Sequence, residues 1–480
     1  MPPSPSAQTH ARRLDLDVVR GVAIVLAMGW HFSRHPSGNV VLDAVQWPGR
    51  QFGWAGVDLF FVLSGFLMGQ LVLKERARTG RFDGRRFTAR RVLRLWPVLY
   101  VFLAVHAVFG SEPLGSYLWQ NALHVQNYTG TSVQHLWSLA VEEHFYLMLA
   151  VLLPLFARRR GSVRPLVAVL IALLVGSLAL RMTGVAGGVS DVWLQWRTHY
   201  RMDALAAGVL LAVVRVHAPS AFDRLLQWRW LWAAATAGGV CLLAQVGNAG
   251  PVGDTLGYTI AYLTGAAFLL LLHGAAWVPK AGWLTRPMAA LGRYSYGIYI
   301  WHLFAAELAI RWLPGLDSGS SGPAAQAVKY TAAVAGGVLA TLVVERPLLR
   351  LRERFVPAAP RTAEPEPGAA WPRPEARPEL AMGEKDGVLY QFRARVSGGS
   401  VPPPTTAATA SCSAVSATRW VNGPVDTRAT PSACSSLTGS DRPGTLITLS
   451  FCGPNPSTRA LISSAVTTPG TKTTGAPAPR

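Results

Sequence analysis

Apolar runs long enough to cross a membrane recur along this chain from about residue 17 to about residue 345, separated by short polar or basic loops. A helix needs roughly 20 consecutive apolar residues to span the hydrocarbon core of a bilayer. On that window the pattern predicts ten helices, near 17–34, 52–73, 92–110, 137–156, 165–182, 201–216, 230–247, 257–273, 296–313 and 326–345. The fold class expected is all-α, a polytopic membrane bundle of about ten transmembrane helices. From about Val356 the pattern stops, and Pro, Ala, Thr, Ser and Gly take over, as in PAAPRTAEPEPGAAWPRPEARPE. Such a segment cannot bury enough apolar surface to offset its ordering entropy. The expected organisation is a membrane-embedded domain at 14–355 and a low-complexity, disordered cytoplasmic tail at 356–480. Within that tail GVLYQFRARV, at 387–396, alternates enough for a lone strand, which by itself would be marginal.

Composition supports the membrane class: half of the 480 residues are hydrophobic and 15% are charged. A formal net charge of +20 would suggest nucleic acid for a soluble protein, but here the basic residues gather in alternate loops. That distribution is the positive-inside signature, so the expected partner is a lipid bilayer and not a nucleic acid. KERARTGRFDGRRFTARR carries eight basic residues from Lys74 to Arg91, and RRRGSVR carries Arg158, Arg159, Arg160 and Arg164. Arg224 and Arg229, then Lys280, Arg286 and Arg293, then Arg346, Arg350, Arg352 and Arg354 fall on the same side of a ten-span chain. The expectation is an integral protein of a bacterial-type plasma membrane with both termini cytoplasmic. The start MPPSPSAQTHARRLD is polar, and the first apolar run offers no well-placed small-residue cleavage site, so that span is expected to be retained. Cys241 lies in a span, while Cys412, Cys434 and Cys452 are scattered without metal-ligand spacing, so neither a metal nor a disulfide framework is expected.

Several ionisable residues interrupt the apolar runs, and such groups in the bilayer mark either internal pairs or functional sites. Arg20 and His31 sit eleven residues apart in VVRGVAIVLAMGWHF. Eleven residues is about three turns, roughly 16 Å of rise, so both project from nearly one face at different depths. His31 reads as a mid-membrane base, against the alternative of a snorkelling Arg20 and an internally bonded histidine. Asp58, in GWAGVDLFFVLSGFLMG, reads either as the partner of an arginine on a neighbouring helix or as a group orienting a catalytic residue, and Gly56, Gly65 and Gly69 offer close helix approach. Arg91 and Arg94 in FTARRVLRLWP share a helix face at the inner edge, suited to phosphate or to headgroup and topology duties. In HLWSLAVEEHFYL, Glu142 and Glu143 are adjacent and so point to different sides of their helix, which leaves at most one for a given site. Arg201 and Asp203 in YRMDALAAG, with Tyr299 and His302 in YSYGIYIWH, complete a polar cluster whose aromatics read as interface belt or sugar-stacking wall. So many buried charges in one bundle suggest a polar cavity reached from both faces.

Taken in order, LDVVRGVAIVLAMGWHF, GVDLFFVLSGFLMG, FTARRVLRLWP, HLWSLAVEEHFYL, YRMDALAAG, YSYGIYIWH and VVERP resemble the successive motifs of the acyltransferase 3 family of integral-membrane O-acyltransferases, over roughly 14–355. The family usually has glutamine after the paired glutamates, where this chain has His144. The resemblance implies a ten-helix bundle that moves an acyl group, often acetyl, from cytoplasmic acyl-CoA to a hydroxyl of a sugar or glycoconjugate, with no metal. It makes Arg20 and His31 the catalytic pair and Arg91 and Arg94 the contacts for acyl-CoA. On chemical grounds a neutral His31 acts as general base, with Arg20 or Asp58 setting its orientation, or forms an acyl-histidine relay. A proton-coupled transporter would also need intramembrane His, Arg and Glu, but the internal repeats common in transporters are absent from this sequence. A non-catalytic scaffold would leave the buried charges without purpose.

Overall fold

The computed structural model describes residues 14–79, 82–157, 163–313, 315 and 320–356, together with seven short strands between 380 and 466. It divides into two compact units, Met1–Pro372 and Arg373–Arg480. In the first unit the architecture rests on thirteen helices among the described residues: α1 Leu14–Phe32, α2 Val40–Phe52, α3 Ala55–Thr79, α4 Gly84–Phe109, α5 Trp137–Ala157, α6 Arg164–Ala186, α7 Thr198–His217, α8 Arg229–Val246, α9 Tyr258–Leu272, α10 Gly282–Arg293, α11 Ser295–Arg311, α12 Pro323–Ala340 and α13 Arg346–Phe355. Each of the ten predicted spans coincides with one of these helices. Five stretches are long and apolar enough to cross a membrane, namely α3, α4, α6, Gly250–Leu272 and Pro323–Phe355, and the bent pair Asp191–His217 with Pro219–Gln227 makes a sixth if counted as one span. This is a polytopic integral membrane protein. The other expected spans are helical but less plainly apolar: α1 takes Asp15, Asp17 and Arg20 into its first two turns, and α11 is only 17 residues long.

Local chemistry fixes several helix starts. Asn39 caps α2 by accepting from the Leu42 N–H at 3.0 Å, and Asp83 caps α4 by accepting from the Arg86 N–H at 3.0 Å. Between helices, glycine sets the spacing. A Cβ on Gly65 would lie 2.1 Å from the Leu205 carbonyl oxygen, and one on Gly208 would lie 2.1 Å from that of Val62, so α3 and α7 cross backbone against backbone. The helix that carries Arg20 is seated the same way: a Cβ on Gly21 would meet the Met288 carbonyl oxygen at 2.0 Å, which clamps α1 against α10. Around the α3–α7 crossing lies the largest apolar core, including Val62, Phe66, Phe145, Leu205 and Val209. A π-helical turn at Thr341–Glu345 joins α12 to α13, and the Arg346 guanidinium donates to the Tyr294 hydroxyl at 3.1 Å.

In the second unit, most of the tail expected at 356–480 to be disordered lies outside the described residues. Its described residues are β1 Leu380–Lys385, β2 Val388–Arg393, β3 Thr409–Ala410, β4 Ala417–Arg419, β5 Ser435–Arg442, β6 Thr445–Phe451 and β7 Ala460–Val466. They pair antiparallel into a three-stranded sheet, β1-β2-β4, and a four-stranded sheet, β3-β7-β6-β5. The strand expected to stand alone, β2, has neighbours on both sides, with Tyr390 opposite Gly383 and Arg419. Each run is short, and only β2, β6 and β7 pair on both sides; a composition averaged over the whole segment does not register such runs. Arg81, Arg158, Arg159, Arg160, Cys412, Cys434 and Cys452 lie outside the described residues. Cys241 is an exposed free thiol.

Candidate active site

Two polar cavities lie along α1, at different levels of the same helices. The first, about 130 Å3, is lined by Arg20, Arg91, Arg94, Ser64, Glu142 and Tyr146 among others. The second, about 310 Å3, is lined by His31, Arg34, His106, His135, Glu112 and Glu307 with apolar neighbours. The order of residues along each helix sets the arrangement. On α1 the first cavity takes Arg20 and the second His31; on α4 the first takes Arg91 and Arg94 and the second His106; on α11 the first takes Ser295, Tyr296 and Tyr299 and the second Leu303 and Glu307. The three-turn separation of Arg20 and His31 therefore places them in different cavities.

In the arginine cavity, Arg20 donates to the Asp17 carboxylate at 2.8 Å, one turn back along α1. The Arg91 guanidinium lies 5.1 Å from the centroid of the Tyr146 ring. The Tyr146 hydroxyl donates to Glu142 at 3.1 Å and is also hydrogen-bonded to Ser64. The two adjacent glutamates diverge as their helical spacing requires. Glu142 faces this cavity, while Glu143 is turned to Trp96 and lines neither cavity.

A thin polar wall stands between the cavities. The Tyr299 hydroxyl, in the arginine cavity, donates to the backbone carbonyl of His135, which lines the histidine cavity, at 2.7 Å. Ser138 Oγ lies 2.6 Å from the same hydroxyl and supplies its second bond. Behind the wall three imidazoles run in series: His31 and His302 have ring centroids 5.2 Å apart, and His302 and His135 have theirs 5.1 Å apart. Among the residues of the histidine cavity, His106 Nε2 lies 2.9 Å from Glu112, and Glu307 pairs with Arg311 at 2.5 Å.

Asp58, Arg201 and Asp203 line neither cavity. They form a separate buried knot with Arg181: Asp58 pairs with Arg201 at 2.7 Å, and Asp203 pairs with Arg181 at 2.7 Å, all four at most 1% exposed. The Arg201 guanidinium sits 3.7 Å from the Tyr258 ring centroid. Arg181 also donates to the carbonyls of Tyr200 and Thr255 and to the Thr259 hydroxyl, at 2.5, 3.2 and 2.9 Å. Of the two readings of Asp58, the interhelical ion pair is the one this geometry has, and Asp58 does not contact His31. The sequence reading missed Arg181 and Tyr258. An arginine inside LIALLVGSLALRM was the available signal for the first. His144 is bonded through Nδ1 to the Thr198 hydroxyl at 2.7 Å and ties α5 to α7, away from both cavities.

Arg90 pairs with Glu353 at 2.8 Å and so anchors α13 to α4. Burial, with His144 nearby, brings the pKa of His124 down to about 4, and its ring stacks on Trp96 with centroids 4.9 Å apart.

The chain belongs to the acyltransferase 3 family, a family of acyl-transferring enzymes, whose acyltransferase domain it matches over residues 13–346. It is 26% identical over 317 residues to the O-acetyltransferase OatA of Staphylococcus aureus (strain NCTC 8325 / PS 47), covering 60% of this chain and 49% of that protein. To the peptidoglycan O-acetyltransferase OatA of Listeria monocytogenes serovar 1/2a it is 24% identical over 318 residues, covering 60% and 48%. The chain thus spans about half the length of these curated relatives. No solved structure matches it.

Proposed function

We propose that this protein is a ten-span membrane O-acetyltransferase with both termini cytoplasmic, moving acetyl from cytoplasmic acetyl-CoA to a hydroxyl of a cell-envelope glycan. The observation that carries the reading is the pair of stacked cavities, one rich in arginine and the other in histidine, divided by the Tyr299 wall. Arg91 and Arg94 belong to the loop-proximal end of α4, and guanidinium forks suit the phosphates of a CoA donor. Arg20 would lie further along the path of the pantetheine arm, towards Tyr299. The acceptor hydroxyl would come to His31 from the other cavity. We favour direct transfer: with the Tyr299 hydroxyl released from the His135 carbonyl so that the two cavities join, His31 takes the acceptor hydroxyl proton, the oxygen attacks the thioester carbonyl, the C–S bond breaks, and the proton passes to the departing thiolate. The acceptor class is supported by the names of the OatA relatives, one of which acts on peptidoglycan.

The test is transfer of radiolabelled acetyl from acetyl-CoA to muramidase-released peptidoglycan fragments by membranes holding the full chain. His31→Ala is expected to remove the transfer while leaving the amount of protein in the membrane unchanged. Label transfer at the wild-type rate in that variant would refute the role given to His31.

A further inference from the structure

The three stacked imidazoles hold their protons unequally, and the difference assigns a task to His302. His302 Nδ1 lies 2.8 Å from the Tyr299 carbonyl oxygen and His135 Nε2 lies 3.0 Å from that of Ile300. A carbonyl only accepts, so each of those nitrogens carries the proton of a neutral ring. That leaves His302 Nε2 and His135 Nδ1 as lone-pair acceptors. His302 is fully buried, and its Nε2 has no hydrogen-bond partner among the described residues. His135 has already given its N–H to Ile300, so of the two neighbouring imidazoles only His31 retains an N–H to offer. An in-plane N–H···N bond of about 2.9 Å sets two imidazole centroids about 5.2 Å apart. His31 and His302 stand at that separation, tilted by 51°, so ring orientation alone remains to close the bond.

We infer that His302 is the positioning residue for His31. Its Nε2 accepts the His31 N–H, fixes the His31 tautomer, and turns the remaining lone pair into the histidine cavity, where an acceptor hydroxyl would be deprotonated. The inference rests on the acyl-transfer reading and deepens it. The Tyr299 carbonyl holds His302, and His302 holds His31, as a carboxylate holds the imidazole in many histidine sites. Asp58, held by Arg201, is not available for that task.

The test compares substitutions at His302 in the full chain, using radiolabelled acetyl-CoA and the same peptidoglycan fragments. His302→Gln places an acceptor near the lost Nε2, whereas His302→Asn can reach only the Tyr299 carbonyl. Gln is expected to hold kcat within about threefold of wild type and Asn to lose about tenfold or more, with KM for acetyl-CoA unchanged in both. Equal kcat in the two variants would overturn the inference, as would a loss carried by KM. Amounts of each protein in the membrane, read in parallel, separate misfolding from lost positioning. Should both drop out of the membrane, His302→Met, which fills the volume with only a weak acceptor, is compared on purified protein, and wild-type kcat there refutes the role. His31→Ala keeps the two failures apart: if it is inactive while the His302 variants are unimpaired, only the positioning role falls, and if it is active, the acyl-transfer reading through His31 falls with it.

Discussion

Replacing Arg181 by methionine tests whether the buried charge knot holds α3, α6 and α7 together. Methionine keeps much of the arginine stem but removes every donor, leaving the Asp203 carboxylate without its partner at 1% exposure. Breaking a buried ion pair by deleting one member costs about 3–5 kcal/mol, because a charge is left in a medium that cannot solvate it. The released carbonyls of Tyr200 and Thr255 add to this, though neutral hydrogen bonds in membrane bundles average only about 0.6 kcal/mol. The loss is therefore set by the orphaned carboxylate, and Arg181→Met should cost about 3–5 kcal/mol. Adding Asp203→Asn removes that charge while preserving shape, and leaves the Asp58–Arg201 pair neutral as before. The double variant should recover most of the loss, a coupling of about 2–3 kcal/mol. The measurement is a double-mutant cycle by SDS titration in mixed micelles, followed by tryptophan fluorescence. Additive losses, with the double variant worse than either single one, would refute the account.

Two further outcomes are expected. Arg91→Ala and Arg94→Ala should each raise KM for acetyl-CoA about tenfold with a smaller effect on kcat, since a charge-assisted phosphate contact contributes about 1.5–3 kcal/mol; steady-state kinetics with unchanged KM would remove these residues from donor binding. His124, brought down to about 4 from 6.5, is neutral in the fold but takes a proton more readily when unfolded. Stability should therefore be flat above pH 6.5 and fall as pH drops from 6.5 towards 4, and His124→Gln should blunt that slope in thermal-shift measurements across the interval.

Much of the fold was legible because its signals are local. Apolar runs of spanning length become helices wherever they occur, and all ten expected segments are helical, since a backbone in lipid must satisfy its own hydrogen bonds. The charge pattern of Arg20, His31, Arg91, Arg94 and Glu142 marked the residues that meet the cavities. The short strands of the second unit carry little local signal: β2 and β6 are runs of six and seven residues, and their pairing depends on strands elsewhere in the chain.

Pairing among the charged groups was not legible at all. The sequence left Asp58 between an ion pair and a catalytic role, and nothing local could decide, because its partner Arg201 is 143 residues away. Helical periodicity put Arg20 and His31 on one face, and that much the sequence determined by itself. Tertiary packing alone set Tyr299 across the space between them and brought His302 from α11 against His31, making one face of α1 serve two cavities. The physical reason is range: helix period and hydropathy act over a few residues, whereas a cavity wall and an imidazole partner come from whichever helices glycine contacts such as Gly21 on Met288 allow to meet.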